Sequence, residues 1–213
     1  MRREAQRTLL SLSTKYQTDV NALDYEVIAI DNGSTQPLSP KEVEGFGTNF
    51  RYHFFKTNSV SPVDAVNAGV EMAIGENVAV IVDGARMATP GLICGTLNGL
   101  QMFPNPFVCS LAWHLGPDIQ GRSMQAGYDQ AEEDRLLASI NWPDDGYRLF
   151  DISTIAPSSR MGFFGDVPPE CSWLAMARES FLEIGGFDPK FISPGGGACE
   201  PRLSRSRVDV IGN

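Results

Sequence analysis

Two acidic side chains in this sequence stand where an apolar run stops. Asp31 follows the apolar residues 27–30, three of which are β-branched, and Asp83 follows the aliphatic residues 78–82. A carboxylate at the carboxyl end of a buried strand is well placed to bind a ligand by accepting its hydrogen bonds or holding a metal ion. The alternative for each acid is a turn residue that caps its own loop.

The residues that follow these acids extend the predicted ligand site. Arg86 lies three positions after Asp83, and a guanidinium can grip phosphate oxygens in two places at once. Its alternative is an exposed loop cation. Three residues after Asp31 offer backbone N–H groups that could line a nucleotide, namely Asn32, Gly33 and Ser34. Because the same residues favour turns, a plain turn is the competing interpretation.

Composition narrows the class of ligand. The chain has 213 residues, is 42% hydrophobic and carries a formal net charge of -9. An acidic chain is a poor partner for a nucleic-acid backbone, so no nucleic-acid partner is expected. No apolar run reaches the length of a transmembrane segment, and the N-terminal charges are not followed by the apolar core of a signal peptide. We therefore expect a soluble, cytoplasmic protein that binds a small molecule.

Strands and helices alternate along the first half of the chain. Apolar periodicity and stop signals predict helices over 5–16, 61–76 and 89–103, strands over 27–30, 78–82 and 106–114, and Thr89 as a helix cap. This rhythm predicts an α/β fold with a mostly parallel sheet flanked by helices. The second half has a helix within 127–143, a long loop-rich segment, a short strand near Cys171 and a helix from about Arg178 that stops at Gly185 and Gly186.

Three stretches, "YEVIAIDNGST", "AVNAGVEMAIGENVAVIVDGA" and "RESFLEIGGFDPKF", resemble in order and spacing the family 2 glycosyltransferases of the GT-A fold. The resemblance spans about residues 25–191. It implies a single GT-A-like domain over 1–213, with a nucleotide-binding half over about 1–100 and an acceptor-side half over about 101–213. It also implies that a sugar passes, with inversion, from a nucleotide-sugar donor to a carbohydrate or lipid-linked acceptor, with a divalent metal and a carboxylate base.

The resemblance assigns roles to individual residues. Asn67 matches a nucleotide-site amide, with a helix-surface amide as its alternative. Asp83 matches the first acid of a Mg²⁺ or Mn²⁺ motif, but Ala85 stands where the second acid would be, so the use of a metal is an open question. Glu200 is the acid nearest the expected position of the base, with a surface glutamate near the chain end as its alternative. His114 ends a predicted strand and either meets the acceptor or is structural.

A second hypothesis belongs to a different class. The N-terminal stretch already reads as the helix that normally follows the family's first strand, and the residues after Gly197 depart from the family pattern. A GT-A-like chain incomplete at both ends would keep the fold and at most weak nucleotide binding, without transferring a sugar. A nucleotidyltransferase is disfavoured because no Gly-rich, Lys-bearing phosphate loop occurs near the N-terminus.

Overall fold

The structure is a computed structural model that describes residues 2–82, 86–164 and 170–190. Within these ranges seven α-helices form: α1 (Arg2–Ser11), α2 (Pro40–Glu44), α3 (Val63–Met72), α4 (Leu92–Leu100), α5 (Gln120–Gln125), α6 (Gln130–Ser139) and α7 (Arg178–Glu183). Two 3₁₀ helices, Gly146–Ile152 and Pro157–Phe164, lie in the loop-rich segment. None of these helices is long and apolar enough to cross a membrane.

The described part of the chain also has seven strands: β1 (Val27–Asn32), β2 (Phe50–Phe55), β3 (Asn77–Val80), β4 (Phe107–Leu111), β5 (Trp113–Leu115), β6 (Ser153–Ile155) and β7 (Cys171–Ala177). They form a parallel pair β1–β2, a three-stranded sheet in the order β3-β7-β4, and a pair β5–β6. The fold is therefore mixed α/β, as the sequence predicts.

The prediction of a mostly parallel sheet is wrong for the described residues. Only β1 and β2 pair in parallel, whereas β7 is antiparallel to both β3 and β4, and β5 is antiparallel to β6. Since both neighbours of β7 oppose it, β3 and β4 still run in the same direction, as a strand-helix-strand unit requires. The last strand along the described part of the chain, β7, lies between β3 and β4 and forms hydrogen bonds with both. β3 and β4 therefore do not pair directly with each other, as a parallel sheet would require.

Several local predictions hold with small shifts. The first strand continues through Asp31 and Asn32, which were expected in its exit loop. Helix α4 is capped by Gly91, so the prediction of Thr89 as its cap is wrong. Helix α7 begins at Arg178 as predicted, and it is followed by Gly185 and Gly186 with φ of +82° and +68°. Glycine adopts such angles without steric cost, which ends the helix.

Two helices join the parallel pair to the three-stranded sheet. Leu9 of α1 and Leu12, just after this helix, belong to one buried cluster with Phe50 of β2 and Trp173 of β7. On α3, Gly69 packs so closely on β1 that a Cβ there would lie 3.1 Å from Ile30 Cγ1. The same helix contributes to a second cluster made up of Val63, Val70, Val78, Leu174, Met176, Phe181 and Phe187. Burial of these side chains holds the two sheets in a fixed relation.

Candidate functional site

A cavity of about 420 Å³ lies beyond the end of β3. Its lining includes Ile81 and Arg86, which come before and after residues 83–85, and Trp173 from β7. Residues 83–85 lie outside the described ranges. Trp113 and His114 of β5 form a further part of the wall. The cavity is thus built where the three-stranded sheet meets the β5–β6 pair, and its volume is within the usual range for a small-molecule site.

Arg86 is the one predicted nucleotide-binding residue, among those the structure describes, that lines this cavity. Its side chain is half-buried, and none of the ion pairs seen among the described residues includes it. A guanidinium in a half-buried cavity wall favours an anionic ligand, because each of its N–H groups seeks an acceptor. This location fits the predicted contact with phosphate.

Aromatic side chains give the cavity an apolar part. Trp113 and Phe150 meet edge to face, with ring centroids 4.9 Å apart and an interplanar angle of 62°. Both rings line the cavity. An aromatic wall beside a cation can hold a ligand with an apolar face and a charged end.

Helices α1 and α6 close one side of the cavity through an ionic cluster. Arg3 and Arg7 of α1 bind Glu133 and Asp134 of α6, with 2.9 Å from Arg3 Nη2 to Glu133 Oε1. The hydrogen bond from Arg7 lowers the pKa of Asp134. Because Arg7 and Glu133 also line the cavity, their charges largely compensate each other there.

Tyr128 brings a hydroxyl group to the same wall. Its Oη atom is buried and has no hydrogen-bond partner within the described ranges. Burial, followed by the charges of Glu133 and Glu132, raises the pKa of Tyr128 to about 12. The phenol therefore stays protonated at neutral pH and has an unused donor next to the cavity.

His114 lies between this cavity and a second one of about 520 Å³. Its Nε2 atom is 3.9 Å from Oε1 of Glu170, and Ser158 Oγ donates a hydrogen bond to the other carboxylate oxygen of Glu170. Neither residue stood out in the sequence as part of a pair, because β5 and the start of β7 are far apart along the chain. The only sequence signal was a histidine at the end of a predicted strand.

Asp31 is placed at the carboxyl end of β1, as predicted, and does not line the cavity. Its Oδ1 accepts a hydrogen bond from the Ser34 backbone N–H at 2.7 Å, and its Oδ2 accepts one from Tyr52 Oη at 3.3 Å. Burial, followed by the charge and hydrogen bond of Asp31, raises the pKa of Tyr52 to about 12. The carboxylate thus organises its own turn, whether or not it also meets a ligand.

The next two residues are also engaged within the loop. Asn32 Nδ2 donates to the backbone oxygen of Ser61 at 3.1 Å, while its buried Oδ1 has no hydrogen-bond partner in the described part of the chain. Gly33 has φ +73°, and a Cβ there would lie 2.5 Å from the backbone oxygen of Thr57. Only glycine fits this backbone position. Their contact with a nucleotide stays a prediction.

Asn67 is held by the turn that follows α7. Its Nδ2 donates to the Phe187 carbonyl oxygen and its Oδ1 accepts from the Phe187 N–H, both at 3.0 Å. The two bonds lock α3 to the Gly-Gly turn. They give this amide a structural role that no short motif indicates, while its role in nucleotide binding stays a prediction.

Two predicted residues lie outside the described ranges: Asp83, the candidate metal ligand, and Glu200, the candidate base. Within residues 2–82, 86–164 and 170–190, no three or more His, Cys, Asp or Glu side chains form a group that could hold a metal ion. Acids at the carboxyl ends of parallel strands are expected to share one edge of a sheet. For Asp31 and Asp83 this expectation stays a prediction, and β1 and β3 belong to separate hydrogen-bonded sheets.

Comparison with known proteins gives no family for this chain. No protein-family model matches it, and no curated protein matches its sequence. Membership of the family 2 glycosyltransferases thus stays a prediction based on the three sequence motifs.

Proposed function

We propose that the chain is a glycosyltransferase of the GT-A type, which moves a sugar from a nucleotide diphosphate donor to an acceptor hydroxyl. The observation that carries this proposal is the position of Arg86. It follows β3 along the chain and lines a cavity of about 420 Å³. A diphosphate bound there would have a permanent cation beside its departing oxygen.

The chemistry of sugar transfer explains why such a cation matters. The acceptor oxygen forms a bond to the anomeric carbon, while the bond from that carbon to the diphosphate oxygen breaks. The electron pair of the broken bond stays on the diphosphate, where negative charge develops. A guanidinium fixed in the cavity wall stabilises that charge without having to reorganise.

The rest of the cavity suits the other parts of such a donor. Trp113 and Phe150 offer ring surface for a sugar or a base. A divalent metal, if one is used, would add charge stabilisation at the diphosphate. Asp83 remains its candidate ligand.

The test is a screen of nucleoside diphosphates and nucleotide sugars by thermal shift, followed by transfer assays with the donors that bind. A ligand that binds only the folded chain raises its melting temperature by mass action. We expect nucleotide sugars to raise it and free monosaccharides to leave it unchanged. Binding without transfer to any sugar or lipid-linked hydroxyl would favour the incomplete homologue, and no binding to any nucleotide would contradict the proposal.

A further inference from the structure

A histidine and a carboxylate meet at the place where the two cavities adjoin. His114 lines both cavities, and its side chain is 14% exposed, against 33% for Glu170. Their closest atoms, Nε2 and Oε1, are 3.9 Å apart. In catalytic pairs this separation commonly shortens to a hydrogen bond once substrate is bound.

The main chain around the pair is held by one fully buried hydroxyl group. Ser159 Oγ accepts a hydrogen bond from the Ala112 N–H at 2.9 Å and donates one to the Glu170 carbonyl oxygen. Ala112 comes two residues before His114, so a single side chain joins the segments that carry both members of the pair. A further bond, from the Ala156 N–H to the Ala112 oxygen, fixes the same corner. The proximity of His114 and Glu170 is thus built into the fold.

The remaining atoms of the pair are arranged asymmetrically. Ser158 donates to Oε2 of Glu170, which leaves Oε1 to face Nε2 of the imidazole. No hydrogen bond to His114 Nδ1 is seen in the described ranges. When a carboxylate accepts the proton on one ring nitrogen, the other nitrogen is left as a proton acceptor.

We propose that His114 is the general base of the transfer reaction and that Glu170 is the residue that positions it. This inference rests on the proposed function. Nδ1 takes the proton of the acceptor hydroxyl as its oxygen attacks the anomeric carbon, and the diphosphate leaves with the electron pair of the broken bond. Glu170 accepts the Nε2 proton and stabilises the imidazolium that forms.

The position of His114 between the cavities defines the path of the substrates. The donor occupies the cavity that Arg86 lines, and the acceptor enters the second cavity, where Gln120, Ser158 and Glu170 supply polar contacts, so that its hydroxyl meets His114 where the two cavities adjoin. Among the residues that the structure describes, the other charged or titratable groups that face the donor cavity are Glu4, Arg7, Arg86, Tyr128 and Glu133.

The first experiment needs no substrate. The chain has only two histidines, His53 and His114, so diethyl pyrocarbonate labelling followed by peptide mapping reports on each one. At pH 8 we expect His114 to be labelled and its labelling to slow about 3-fold or more in Glu170→Gln, because the carboxylate makes the imidazole a better nucleophile. His53 on β2 is the internal control, and its rate should not change. Failure to label His114, or a labelling rate that does not change in Glu170→Gln, would contradict the proposal that Glu170 positions His114.

The second experiment separates catalysis from binding. In His114→Gln we expect kcat to fall about 10²- to 10⁴-fold, with the calorimetric Kd for the nucleotide-sugar donor changed less than about 2-fold. In the parent, the rate should fall at acid pH. The residual rate of His114→Gln should not show this fall. His53→Gln should match the parent. A parallel loss of donor affinity, or an acid limb that persists in His114→Gln, would refute a base role.

The two experiments distinguish the two proposals. If the parent binds no nucleotide sugar but His114 is labelled in a Glu170-dependent way, the proposed function fails and the pair stands as a reactive histidine. If the donor binds and is turned over equally well by His114→Gln and the parent, the function stands and the base lies elsewhere, with Glu200 as the first residue to substitute.

Discussion

The side chains of Asp31 and Asn67, beside β1 and α3, differ from those of Arg86 and Tyr128, beside the cavity, in what they bind. Near β1, Asp31 is bound by Ser34 and Tyr52, and both polar atoms of Asn67 are bound by Phe187. Around the cavity, Arg86 has no ion pair and Tyr128 Oη has no hydrogen bond within the described residues. Satisfied groups maintain the fold, whereas an unpaired guanidinium in a cavity wall is available to a ligand. The difference predicts that substitutions in the first region act on stability and those in the second act on binding.

The largest effect on stability is expected for Gly186→Ala. Gly186 has φ +68°, and a Cβ there would lie 2.5 Å from Asn67 Oδ1, which two hydrogen bonds keep from moving. We expect a loss of about 3 kcal/mol in the free energy of unfolding, from backbone strain together with a broken hydrogen bond. Gly127→Ala is the matched control, since Gly127 has φ +97° but no atom within 4 Å of the position that the new methyl group would take. Equal losses in urea denaturation would show that the Asn67 contact is unimportant.

Asn67→Ala should have the next largest effect, a loss of about 2 kcal/mol in the free energy of unfolding. The substitution removes two hydrogen bonds and leaves the Phe187 main chain unpaired. Asn98→Ala is the comparison, an exposed asparagine on α4 whose side chain has only a 3.5 Å contact with Cys94 Sγ. That variant should lose less than about 0.5 kcal/mol. Chemical denaturation measures both. If Asn67→Ala is as stable as Asn98→Ala but binds nucleotide poorly, Asn67 is a ligand-binding residue. The contrast between the β1–α3 region and the cavity would then be wrong.

Arg86→Ala should change binding and leave stability within about 0.5 kcal/mol. The loss of charge-assisted hydrogen bonds weakens nucleoside diphosphate binding about 10- to 100-fold. The control is Arg122→Ala, which removes a guanidinium that is 71% exposed and forms an ion pair with Asp118. Calorimetric titration with and without Mn²⁺ reports the affinity. Unchanged affinity in Arg86→Ala, together with full dependence on Mn²⁺ in the parent, would assign the diphosphate to the metal.

The smallest effect on stability is expected when the hydroxyl groups of Tyr25 and Tyr128 are removed. Tyr25 Oη donates to the Leu12 carbonyl oxygen at 2.7 Å, so Tyr25→Phe should cost about 1 kcal/mol in the free energy of unfolding. Tyr128→Phe removes a hydroxyl with no partner in the described structure and should be neutral or slightly stabilising. Thermal denaturation of both variants tests this. A clear loss of stability in Tyr128→Phe alone would show that the Tyr128 hydroxyl group stabilises the fold.

Sequence patterns predicted the elements better than their pairing. Local periodicity and turn residues indicate α3, α7 and β1, because the forces that define them act over a few residues. Insertion of β7 between β3 and β4 depends on packing across the whole chain, so a strand-helix rhythm could not reveal it. Arg86 lines the cavity, and the contact with phosphate predicted for it from the sequence stays a prediction. The His114–Glu170 pair and the Asn67–Phe187 bonds required tertiary contacts that no short motif encodes.

The ionic cluster between α1 and α6 has a consequence for the order of folding. Its bonds join residues 126 to 131 positions apart, such as Arg7 with Glu133 and Arg3 with Asp134. Closing so long a loop costs chain entropy before any contact can compensate, so we expect the cluster to form after the folding transition state. Weakening it with salt or with Arg7→Gln should then accelerate unfolding and leave the refolding rate nearly unchanged.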